Sequence, residues 1–197
     1  MKIIGITGPT GSGKSSLCTI FKSNNIPYID ADAVYHSLLV PPSACLDDIK
    51  KAFGCGVIDK DGALDRKALG AIVFNDKEKL NTLNNTVLGH VIGKIREMVS
   101  DYEKNGFDIV AVDAPTLIES GFNTECNCVI SVLAPTEERL KRIEKRDSLT
   151  KEQALQRLNA QKSDDFYVDH SDFVIINDKG FEKTKKELLK ILNGIRS

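Results

Sequence analysis

Histidine is scarce in this chain, and no long apolar run interrupts it. Its three histidines, His36, His90 and His170, are scattered without ligand spacing. That argues against a zinc site or a catalytic histidine. The five cysteines are odd in number and irregular in spacing. Cys126 and Cys128 form a C-x-C with no partner pair, so free thiols in a reducing compartment are expected rather than a zinc site or a disulfide framework. No stretch approaches the roughly 20 apolar residues of a membrane-spanning helix. The opening "MKIIGITGPTG" is broken by glycine and proline and does not read as a secretory signal. An excess of one charge is also missing: 27 basic residues face 28 acidic ones, for a formal net charge of −1. Nothing global calls for nucleic acid or an anionic membrane, so any anion site must be local. Internal repeats and low-complexity segments are absent. The expectation is a cytoplasmic protein without nucleic-acid or membrane partners, acting as a monomer or weak homo-oligomer.

What the chain does have is a core. Its 197 residues are 41% hydrophobic, enough for one folded domain with insertions. Short β-branched runs predict strands at 2–7, 26–30, 108–113, 128–133 and 173–177. Several are apolar almost throughout, as strands buried on both faces of a parallel sheet are. Helical patterns lie between them: "KSSLCTIFKSN", "AVYHSLLV", "ACLDDIKKAFG", "DRKALGAIVF", the long "DKEKLNTLNNTVLGHVIGKIREMVSDYEKN", "PTEERLKRIEKR", "TKEQALQRLNAQ" and "EKTKKELLKILNGI". The alternation predicts an α/β doubly wound fold with a parallel five-stranded sheet flanked by helices. More than 70 residues separate Asp30 from Asp108, far more than a crossover needs. A helical insertion is therefore expected at about 35–103. A charged helical pair at about 135–170 reads as a lid. The core then comprises about 1–34, 104–134 and 171–197.

The most informative stretch is "GPTGSGKSS", which fits G-x-x-x-x-G-K-[ST]. It is made of Gly8, Pro9, Thr10, Gly11, Ser12, Gly13, Lys14, Ser15 and Ser16. In such a loop the backbone N–H groups wrap a phosphate, the lysine reaches the β- and γ-oxygens, and the following hydroxyl binds Mg²⁺. A predicted strand precedes it and a predicted helix follows, whose N-terminus adds further N–H donors. A chance match in a chain this long is on the order of 1% or less from average residue usage. The reading is a P-loop NTPase core that binds nucleotide triphosphate with Mg²⁺.

The acceptor is a separate question. Asp30 and Asp32 in "YIDADAVYH" end the second predicted strand, where ligands of open α/β sheets bind. A carboxylate there can take a proton from an attacking hydroxyl, or it can cap the helix that follows. Asp113, ending the third strand, is read either as a Walker-B-like Mg²⁺ contact alongside Ser15 or as a turn residue. Arg139, Arg142 and Arg146 share one face of their helix. They fit a clamp on transferring phosphate, or a solvated face with pairs such as Glu138 with Arg142. Arg157 and Gln161 follow on the next helix and are read as facing the same cleft.

Taken together, "IGITGPTGSGKSS", "YIDADAVYH", "FGCGVIDKDGALDRKALGAIVFND", "LNN", "VDAPTLIESG", "RLKRIEKRDSLTKEQALQRLNAQ" and "SDFVIIND" resemble the dephospho-coenzyme A kinase family over nearly the whole chain. The resemblance implies ATP and Mg²⁺, with dephospho-coenzyme A as acceptor at its ribose 3′-hydroxyl. It implies Asp32 as general base, and Lys14 and Ser15 on ATP and Mg²⁺. It puts Arg139, Arg142 and Arg146 in the lid with Arg142 catalytic, and Asn177 near the adenine. Leu64, Asp65, Arg66, Pro115 and Glu119 are placed on the acceptor. Some positions depart from the family pattern. Leu88 and Gly89 stand where a His-Pro pair is usual, followed by His90. Arg139 stands where glutamine is frequent, and "KSDDFYVDHSD" is acidic where basic residues are usual. The rival readings are a P-loop kinase for a nucleoside, nucleoside monophosphate or shikimate-like acceptor, a nucleotide-binding switch, and a structural subunit.

Overall fold

Each strand run becomes a strand. The computed structural model describes residues 1–74, 76–178 and 180–196. Strands β1 (Lys2–Thr7), β2 (Tyr28–Asp30), β3 (Ile109–Asp113), β4 (Cys128–Leu133) and β5 (Phe173–Ile176) form one sheet in the order β2-β3-β1-β4-β5. β1 pairs parallel with β3 (Ile4 opposite Ala111) and with β4 (Gly5 opposite Val129), and β4 pairs parallel with β5. All six residues of β4 are buried, which is why that run reads as continuously apolar. Strand β2 is shorter than its pattern. Ile26 and Pro27 lie outside it, although the Pro27 carbonyl still accepts the Ala111 N–H. Because β1 lies between β3 and β4, its C-terminal end is the point where successive connections leave in opposite directions. Open α/β sheets bind ligands there.

The helices are α1 (Ser15–Ser23), α2 (Ala31–Ser37), α3 (Ala44–Phe53), α4 (Arg66–Val73), α5 (Lys77–Lys104), α6 (Thr136–Asp147), α7 (Lys151–Asn159), α8 (Asp164–Asp169) and α9 (Phe181–Arg196). Helix α8 falls in the acidic stretch for which periodicity gives no helix. Ser163 caps it by accepting the Phe166 N–H, and Asp164 and Asp165 sit in its first turn. The signal was the Ser-Asp-Asp start, too short for a periodic stripe to show.

The chain divides into two compact units, residues 1–29 with 102–197, and residues 30–101. In the first, Ile4 and Ile6 of β1 meet Leu17, Ile20 and Phe21 of α1 and Leu188 and Leu192 of α9. Phe21 is fully buried; a side chain of this kind contributes about 1.5–3 kcal/mol over its exposed state. The second unit has its own core of Leu39, Cys45, Ile49, Val57, Leu69 and Val73.

Candidate active site

The loop after β1 is built around left-handed glycines. Gly8, Gly11 and Gly13 have φ of +136°, +76° and +94°. A Cβ on Gly8 would stand 2.2 Å from the backbone oxygen of Val132 on β4, and neither atom can move without breaking the sheet. Gly8→Ala is therefore expected to lose about 3 kcal/mol or more of stability, combining backbone strain with a hard clash. Urea unfolding measures it, and an unchanged midpoint would refute this account of the loop.

Helix α1 opens directly from the loop. Its first-turn N–H groups have no capping side chain and no acidic residue beside them. Elsewhere Asp30, Ser43, Asp65, Thr150 and Ser163 cap α2, α3, α4, α7 and α8. The Ser16 and Leu17 N–H groups bond the Gly13 and Lys14 carbonyls, but a helix start without a side-chain cap still carries partial positive charge, so α1 with the loop N–H groups suits an anion. Lys14 Nζ donates to the Gly8 carbonyl at 2.6 Å, spanning the loop. Ser15 is exposed at the first helical position. Ser12 is buried, and its hydroxyl has no hydrogen-bond partner among the described residues.

The arginines of α6 are arranged otherwise than their spacing suggests. Arg139 is buried, with Nε donating to the Thr10 carbonyl at 3.2 Å and Nη1 on Asp164 at 3.1 Å. Arg142 Nη1 donates to the carbonyls of Gly11 (3.1 Å) and Ser12 (3.0 Å), and Nη2 to that of Asn177. Arg146 Nη2 donates to Thr10 Oγ1 at 3.2 Å, while its guanidinium makes a two-point contact with Asp147. The expected Glu138–Arg142 pair is corrected here. Glu138 pairs with Lys141 instead, and Arg142 satisfies carbonyls of the loop. Arg146, and Arg157 at 2.7 Å, hold the Asp147 carboxyl below the usual carboxylate range, Arg146 contributing most.

Asn177 is also a strut. It is buried after β5, its Nδ2 donates to the Ser12 carbonyl at 2.9 Å, and its Oδ1 accepts from Thr184. Those bonds tie its amide to the loop and to α9. Asp113, at the end of β3, accepts the Tyr28 hydroxyl at 2.6 Å through Oδ2. Tyr28 was not foreseen. Beyond Asp113, Pro115 and Glu119 lie exposed in the turn that follows, and the Pro115 carbonyl accepts the Thr7 hydroxyl.

In residues 30–101 the two aspartates separate. Asp30 Oδ1 accepts the N–H groups of Asp32 and Ala33, at 2.9 and 3.1 Å, and so caps α2. Asp32 stands exposed in the first turn. Arg66 is exposed and donates to His36 Nδ1 at 2.9 Å, so that histidine's tautomer places its proton on Nε2. Leu64 packs on the core of this unit and Asp65 caps α4 through Oδ1. Of that trio, only Arg66 presents an exposed polar group. His90 meets Asp48 at 2.9 Å. Burial pushes the thiol of Cys126 up to about 12 and that of Cys128 to about 11, which keeps both protonated and poor as metal ligands. All five cysteines are free.

A family model described as dephospho-CoA kinase matches residues 2–183. A dephospho-CoA kinase of Carboxydothermus hydrogenoformans is 33% identical over 192 residues, covering 98% of this chain and 93% of that one. One from Listeria monocytogenes is 36% identical over 187 residues, covering 95% and 94%. Among solved structures, the dephospho-CoA kinase from Campylobacter jejuni aligns with a TM-score of 0.72 at 31% identity, covering 99% of this chain and 98% of that one. A shikimate kinase from Acinetobacter baumannii, at 17% identity and a TM-score of 0.54, shares the fold alone.

Proposed function

The chain belongs to the dephospho-CoA kinase family, and from that premise we propose how its own residues carry the reaction. The enzyme phosphorylates dephospho-CoA with ATP, the last step of CoA biosynthesis. The acceptor oxygen is the ribose 3′-hydroxyl. The loop from Gly8 to Ser16 and the uncapped start of α1 hold the triphosphate, with Lys14 moving from the Gly8 carbonyl to the β- and γ-oxygens. Asp32 accepts the hydroxyl proton as the oxygen bonds to the γ-phosphorus. The bond from that phosphorus to the β-bridging oxygen breaks, and ADP leaves. Asp30 is held by its cap, so Asp32 is the carboxylate available for that proton.

The Ser15 hydroxyl and the Asp113 carboxylate are hard oxygen donors of the kind Mg²⁺ prefers, at the C-terminal ends of β1 and β3, which pair there. Together they would hold the ion, which when bound would supply positive charge to offset that developing on the phosphate. Arg66 supplies a cation for the acceptor's pyrophosphate. Among the described residues no helix is long and apolar enough to cross a membrane.

The observation that carries this reading is a built phosphate cradle in a chain that matches this family over nearly its whole length. The test is ADP release from ATP and Mg²⁺ with and without dephospho-CoA, followed by the product's mass. Acceptor-dependent ADP and one added phosphoryl group are expected. ATP binding without acceptor-dependent ADP would refute the acceptor.

A further inference from the structure

A buried charge stands behind the phosphate loop, and no step of the transfer uses it. Arg139 is only 3% exposed. An arginine removed from water is costly unless its donors are met. Here two of its five donors are met, by Asp164 at 3.1 Å, which also balances the charge, and by the Thr10 carbonyl at 3.2 Å. The remaining polar atoms of Thr10 are held by the same part of the chain. Its N–H donates to Gln161 Oε1 at 2.7 Å, and its hydroxyl accepts from Arg146. One loop residue is thus gripped at every polar atom by residues that lie 129 to 151 positions away.

The consequence follows from the peptide plane. In a trans peptide the C=O and the next N–H point in opposite directions. Holding the Thr10 carbonyl toward Arg139 therefore aims the Gly11 N–H away from it. Holding the Thr10 N–H toward Gln161 likewise aims the Pro9 carbonyl at the Ser12 N–H, which it accepts at 3.3 Å. Gly11, at φ +76°, has no side chain to restrain its own planes. The orientation must come from outside, and the backbone of Arg139 abuts the loop at that point, 2.8 Å from where a Gly11 Cβ would stand.

We propose that Arg139, anchored by Asp164, is a positioning residue of the phosphate cradle, and that with Gln161 it sets the peptide planes on both sides of Thr10 before nucleotide arrives. Donors oriented in advance bind an anion without a reorganisation cost. This role presupposes that Gly8–Ser16 holds ATP, as proposed for it. Arg139 itself does not touch phosphate.

The test compares Arg139→Met, Asp164→Ala, Gln161→Leu and the Arg139→Met/Asp164→Ala pair. Lys141→Ala, an exposed residue of the same helix, is the control. ATP affinity is measured calorimetrically without acceptor, thermal midpoints without nucleotide, and KM with both substrates. Arg139→Met and Gln161→Leu should each weaken ATP by about tenfold, the loss of one well-formed hydrogen bond. Asp164→Ala should do less. The double variant should be no worse than Arg139→Met, because Asp164 acts only through Arg139. KM for dephospho-CoA should stay within about twofold, and Lys141→Ala should change nothing. If Arg139→Met does not fold, Gln161→Leu and Asp164→Ala decide. Lower midpoints with unchanged ATP affinity in the folded proteins would overturn the proposal, leaving a brace of stability only. Tighter ATP binding in Gln161→Leu would also overturn it, since Gln161 would then compete with phosphate. The ATP titration needs no acceptor, so a failed acceptor assay leaves it interpretable, and the reverse holds.

Discussion

Lys14→Ala lowers kcat/KM by about 10³-fold or more, the scale of losing one preorganised charge from a transition state, near 4 kcal/mol. In the structure the ammonium already lies across the loop, with the Gly8 carbonyl as an acceptor at 2.6 Å, so it stands beside the loop before ATP binds. Little of its binding energy is spent on reorganisation. Lys14→Arg should restore little. A planar guanidinium is too large and too directional to replace a compact ammonium inside a closed loop. Steady-state kinetics with ATP varied, together with ATP titrations, separate lost binding from lost chemistry. Near-normal turnover in Lys14→Ala would remove the loop from the mechanism altogether.

The second large effect is on the acceptor side. Asp32→Asn keeps the size of the side chain and removes the base, so kcat falls by roughly 10²–10⁴-fold. ATP affinity and any slow hydrolysis without acceptor should not move. Folding should also be nearly untouched, because the cap of α2 is carried by Asp30 Oδ1. Asp32 contributes only a first-turn charge, at most about 1 kcal/mol. Asp30→Ala should behave in the opposite sense, costing about 1 kcal/mol of stability through the lost cap. Thermal unfolding of both variants beside their kinetics makes the contrast. Full activity in Asp32→Asn would exclude it as the base.

The two predictions differ in how directly the sequence leads to them. Lys14 and its glycines are local. The glycines at 8, 11 and 13 that allow positive φ and the helix that follows all lie within nine residues, and the pattern of residue types records them. The same is true of the five strands, whose two-sided burial leaves continuous apolar runs, and of the long helix Lys77–Lys104, with its sustained period. The Asp30 and Asp32 pair was legible as a helix cap and a candidate base. The sequence alone did not say which was which, because a cap is defined by the N–H groups it reaches.

The arginine row of α6 shows where local reasoning ends. Spacing placed Arg139, Arg142 and Arg146 on one helix face, and their charge suggested phosphate. It could not show that Thr10, Gly11 and Ser12 would present their carbonyls to that face. The partners are 129 to 136 residues away in the chain. Asn177 bonding Ser12 across 165 positions and Tyr28 bonding Asp113 across 85 are of the same kind. The short α8 and its Asp164 escaped because six residues are too few for a periodic stripe. By itself the sequence determined the phosphate loop, the order of strands and helices and the pair of candidate carboxylates, since turn chemistry and burial period act between near neighbours. Only the tertiary structure decided which of the charged side chains reach the carbonyls of the phosphate loop. A carbonyl or a guanidinium has no fixed role until folding brings its partner within hydrogen-bond reach.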